Sequence, residues 1–128
     1  MDQPSMLELV KAVQNFIETK AMPELKGHTA FHARVAANAL GIVARELELS
    51  PRAAELEKSR LMALLGHDGT LEDINRELCE KIRAGKVDIE SDALRQHLEL
   101  TTLDKVGIDQ PNYSGLKIAK TVRQPASR

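Results

Sequence analysis

Arg34, Asn38 and Arg45 are spaced i, i+4, i+11 and share one face of a helical run over residues 31–51. Arginine forks suit phosphate and carboxylate, and an Asn inside a helix propagates it poorly, so its presence asks for a polar contact. A second polar group, Asn75 and Arg76 with Glu77, stands further along, and a third, Asp109, Gln110 and Tyr113, marks a turn. If Arg34, Asn38, Arg45, Asn75, Arg76, Gln110 and Tyr113 converged, they would line a groove for an anionic small molecule such as a CoA ester or a phosphorylated acid. The competing reading is salt bridges and caps between helices.

Other chemistry is thinner. His28 and His32 lie one helical turn apart, a spacing zinc sites use, but nothing marks a third or fourth ligand. His67-Asp68 invites comparison with helical His-Asp phosphohydrolases. Here, however, the pair is enclosed by Gly66 and Gly69 and reads as a turn, whose Asp bonds nearby amides. Cys79 follows Leu78, and the spacing predicts a buried thiol packed as a small apolar group. Neither a catalytic set nor a metal or cofactor site is complete, and the reading leans away from an enzyme.

The elements that would position these groups read as helices. Ser5 and Glu8 form a capping box ahead of Met6, Leu9, Val10, Val13, Phe16 and Ile17, predicting a first helix to about residue 20. Pro23 closes it and Gly27 precedes the next. The second helix is expected from about 28 to 49. It has an apolar edge of Phe31, Val35, Ile42 and Leu49 and a small-residue edge of Ala33, Ala37, Gly41 and Ala44 that admits a close neighbour. Ser50-Pro51 reads as a restart, with Ser as N-cap and Pro at the first helical position. The third helix then runs to about 65 and ends at Gly66, with Leu61, Leu64 and Leu65 buried.

Thr70 opens a fourth helix, whose Leu71, Ile74, Leu78 and Ile82 make the cleanest amphipathic stripe, ended by Gly85. After an extended link at 87–89, Ser91 or Asp92 caps a fifth helix. Its Leu94, Leu98, Leu100, Leu103 and Val106 surround most of the circumference, as a helix buried on several sides or packed on a second subunit would require. Residues 114–128, rich in Gly, Pro, Ser and bases, are expected to be a mobile basic tail.

Bulk properties agree. The 128 residues suit one domain with one core. The expectation is an all-α, single-domain bundle of about five helices over 1–113, with a flexible C-terminal tail over 114–128. The net charge is −1, with four cations and no acid after Asp109. That leaves no global field for nucleic acid, and with Phe16, Phe31 and Tyr113 as the sole aromatics, stacking platforms are missing too. A lone Cys79, no spanning apolar stretch and no signal-peptide pattern point to a cytoplasmic protein with neither nucleic-acid nor membrane partners.

The block AFHARVAANALGIVARELE over 30–48 carries a resemblance, together with Asn75-Arg76-Glu77-Leu78-Cys79, Ile82-Arg83-Ala84-Gly85, Thr101-Thr102-Leu103, Asp109-Gln110-Pro111 and Tyr113. From about residue 5 to 114 the chain resembles a small bacterial family catalogued as a domain of unknown function. Members of that family are often encoded beside an aminoglycoside-phosphotransferase-like kinase and an acyl-CoA dehydrogenase. The resemblance therefore implies an accessory or regulatory partner of one of those enzymes. It transfers no catalytic residue. A homo-oligomer is expected as well.

Overall fold

The computed structural model describes residues 3–123, and within them the chain is all-α, with five α-helices and no strand. The helices are α1 (Met6–Phe16), α2 (Gly27–Leu65), α3 (Leu71–Arg83), α4 (Asp92–Asp109) and α5 (Ser114–Arg123). The chain forms two compact units, Met1–Ser50 and Pro51–Arg128.

In the first unit the capping box forms as its sequence demands. Ser5 N–H donates to Glu8 Oε1 at 2.8 Å, and Glu8 N–H donates to Ser5 Oγ at 3.1 Å. Those bonds to Ser5 hold the Glu8 carboxyl below its usual pKa. Past Phe16 the helix widens into a π-helical turn, Ile17–Ala21, then tightens into a 3-10 turn, Met22–Glu24, containing Pro23. The widening begins where the Thr19 hydroxyl donates to the Asn15 carbonyl at 2.7 Å and competes with the backbone ladder.

The small-residue edge of α2 does bring a neighbour close. Ala37, Gly41 and Ala44 are buried, and Gln14 Nε2 of α1 donates to the Ala37 carbonyl at 3.2 Å. A Cβ on Gly41 would lie 3.1 Å from Gln14 Nε2 and 3.3 Å from Arg45 Nη1, so a larger residue there would require both side-chain ends to shift. At the surface Lys11 pairs with Glu48 at 3.5 Å.

The expected break at Ser50-Pro51 is not a break. α2 continues for 39 residues with Pro51 inside it. One missing N–H and a crowded carbonyl cost a helix interior about 3 kcal/mol, and α2 nonetheless continues through Pro51. The position is still a boundary, because the two units divide there.

The core of the second unit is Leu61, Ile74, Leu78 and Leu94, with Met62, Leu64, Leu65, Leu71, Ile82 and Val87 packed around it. The stripe read for residues 71–82 is therefore the core face of α3. Thr70 caps that helix by accepting from Asp73 N–H at 3.1 Å. Gly85, at φ 72°, ends it, as a left-handed residue after a helix commonly does. The link to α4 turns rather than extends: Asp88 Oδ1 accepts from Glu90 N–H, and Ser91 N–H donates to the Asp88 carbonyl. Ser91 then caps α4 through Leu94 N–H.

Residues 114–123, expected to lack regular structure, form α5, which packs on α4. Leu116 is buried, so an apolar contact supports a helix that composition alone would not. The rest of the expected tail, 124–128, lies outside the described residues.

Candidate functional site

The residues proposed for an anion groove divide between the two units. Arg34, Asn38 and Arg45 belong to the first; Asn75, Arg76, Gln110 and Tyr113 belong to the second. Arg34 and Asn38 are exposed one turn apart on α2, with no hydrogen bond or ion pair among the described residues. Arg45 is half-buried and engaged. Arg76 spends its guanidinium on its own helix, at 2.9 Å from Glu72 and 3.3 Å from Asp73. Asn75 turns inward and donates to Glu57 at 3.0 Å. Gln110 and Tyr113 are exposed in the turn between α4 and α5, where Tyr113 N–H donates to the Gln110 carbonyl at 3.0 Å. Among the described residues no hydrogen bond or ion pair joins Asn75 or Arg76 to Gln110 or Tyr113.

The second unit also holds an interior polar cluster. His97 is 2% exposed, and its Nδ1 accepts from Arg60 Nε at 3.1 Å. Arg60 Nη2 also donates to Thr101 Oγ1 at 3.1 Å. Because Arg can only donate, Nδ1 must present its lone pair, and the neutral ring carries its proton on Nε2. Burial pushes the His97 pKa down, and the nearby Arg60 charge pushes it further, against a smaller upward pull from Glu57. Buried Glu57 accepts from Asn75, so side chains of α2, α3 and α4 are tied together by bonds rather than aimed at a ligand. The signal was available: His97 and Thr101 follow Leu94 at i+3 and i+7, on its buried face.

The His67-Asp68 pair is a turn, as its glycines imply. Gly66 has φ 81°, and Asp68 Oδ1 accepts from Gly69 N–H at 2.7 Å. The Gly69 amide and Lys58, 3.4 Å away, hold the Asp68 carboxyl below its usual pKa. His67 has the Asp68 carbonyl 2.9 Å from Nδ1 and the Glu77 carboxylate 2.9 Å from Nε2. Both partners only accept, so two protons on the ring are favoured and its pKa is raised. Glu77 is lowered in return by its bond to His67, with help from Lys81 at 3.2 Å.

Cys79 is exposed rather than buried. One residue past Leu78 is 100° further round the helix, which carries the thiol beyond the edge of the apolar stripe. His28 and His32 are also exposed, and no group of three or more His, Cys, Asp or Glu among the described residues could hold a metal ion. An open groove of about 390 Å³ is lined by Arg52, Glu55, Leu56, Lys58, Ser59, Met62 and Asp68, none of them among the residues proposed for an anion.

What the first unit does present is apolar surface. The edge read on α2 is real, but it is not core: Phe31, Val35 and Leu49 are 46–58% exposed, with Ile42 half-buried between them. These four fall within a narrow arc of the helix, and Arg34 and Asn38 stand beside it. Residues 23–113 match a family model described as Domain of unknown function (DUF6285). The chain belongs to this family. The match starts later than the resemblance at residue 5 implied, so α1 lies outside it. No curated protein and no solved structure matches the chain. No helix of the described residues is long and apolar enough to cross a membrane.

Proposed function

We propose that this protein is a non-catalytic accessory or regulatory partner, and that it engages another protein through the exposed edge of α2. The observation that carries this reading is the row Phe31, Val35 and Leu49, about half in water on a helix within the family match. Single exposed apolar residues are ordinary, but Phe31 and Val35 one turn apart, with Leu49 further along the same face and polar groups beside them, fit an interaction surface. A partner with an apolar groove and an acid group facing Arg34 fits it. The partners implied by family resemblance are a phosphotransferase-like kinase and an acyl-CoA dehydrogenase. Co-purification of the tagged full chain with each candidate tests this. Retention of one by the wild type and its loss from Phe31→Asp/Val35→Asp supports the reading, and equal retention by both chains refutes it.

A second reading has its own observation: Arg34 and Asn38 are exposed one turn apart without protein partners among the described residues. There the chain binds an anionic small molecule at Arg34 and Asn38 of the first unit. A CoA ester present at 100 times its Kd would add about 2.7 kcal/mol of stability to the wild type, and Arg34→Ala would abolish the gain. No thermal shift with CoA esters or phosphorylated acids would remove this reading.

A further inference from the structure

We infer that α1 carries a second, separate contact surface, and that its occupant is α1 of another copy of this chain, packed antiparallel about a two-fold axis. α1 has a wider apolar arc than the first unit uses. Leu7, Val10 and Ile17 are half-buried, as is Gln14, which reaches α2. Next to them Met6, Leu9, Val13 and Phe16 are 50–71% exposed. Their spacing, 3-4-3, is the repeat of a helix–helix seam. It is symmetric about position 11, so a two-fold rotation sets Met6 against Phe16 of the partner subunit and Leu9 against Val13 of the partner subunit. A thioether against an aromatic ring and two branched aliphatics make compatible layers.

Charge permits a like copy. Ser5 and Ala12 flank the seam on one side, Val10 and Ile17 on the other, and none is charged. Glu8, Lys11, Asn15 and Glu18 point away from the seam, and Lys11 is drawn toward Glu48 of its own chain. Two copies therefore meet without like charges facing. Four side chains per copy make a contact below the roughly 800 Å² per partner of a standard interface, so the dimer is concentration-dependent rather than permanent.

Sedimentation equilibrium of the full chain over micromolar to near-millimolar concentrations tests this. The mass should rise from 14.2 kDa toward twice that value. Leu9→Asp/Val13→Asp should stay monomeric while keeping its helical circular dichroism. In a Cys79→Ser background, mixing Leu9→Cys chains with Val13→Cys chains should give far more disulfide-linked dimer than either alone. A wild type that stays monomeric overturns the inference. So does a dimer that survives the double Asp change, or one that cross-links best through position 9 to position 9. The cysteine pair decides the matter if the Asp variant does not fold. Because α2's edge is untouched, a wild type that dimerises but captures no enzyme would fail the proposed function and leave this inference standing.

Discussion

His97 and His67 show how one residue type takes opposite roles. His97 is buried, with its Nδ1 lone pair committed to Arg60, so the folded chain prefers the neutral ring. His67 is at the surface with an acceptor at each nitrogen, so the folded chain prefers the cation. Followed by NMR, the His97 ring should titrate below the ordinary value near 6.5, and His67 above it. The linked stabilities run in opposite directions. The contribution from His97 is full above the unfolded pKa and is lost as pH falls through its lowered folded value. That from His67 is full below the unfolded pKa and is lost as pH rises through its raised one. Arg60→Ala leaves the buried Nδ1 without its donor and should cost about 1–3 kcal/mol in urea unfolding. A change near zero would mean that water replaces the guanidinium.

Among the elements, α2 holds the most instructive departures from its sequence. Pro51 interrupts its hydrogen-bond ladder but not its course. Pro51→Ala should therefore stabilise the chain by up to about 3 kcal/mol, measured by thermal unfolding; a loss of stability would contradict this. Gly41→Leu should destabilise by about 1–3 kcal/mol, because the added side chain grows into Gln14 and Arg45. The α3 stripe, the caps at Ser5, Thr70 and Ser91 and the stop at Gly85 were legible because each is a local signal. The continuity of α2 was not, since Ser-Pro marks a preferred start and does not report that the helix runs through it. Nor was α5, which rests on the tertiary contact of Leu116. Asn75 donates to Glu57, eighteen positions earlier, a pairing that only the packing of α3 on α2 reveals.

At the scale of the molecule, core and surface are unevenly shared. The second unit owns a close-packed apolar core, and the first is held by small residues and leaves two apolar rows in water. Periodicity located both rows, but a stripe reads the same whether it faces the interior or a partner. The proposed partner surface is the α2 row. Site-specific photocrosslinking in the native cell tests that most directly, with a photoreactive residue at Phe31 or Val35 and, as control, at exposed Arg83. One dominant adduct is expected from positions 31 and 35, with the kinase-like protein or the acyl-CoA dehydrogenase, and none from 83. No adduct from either α2 position, or the same adducts from all three, would contradict it.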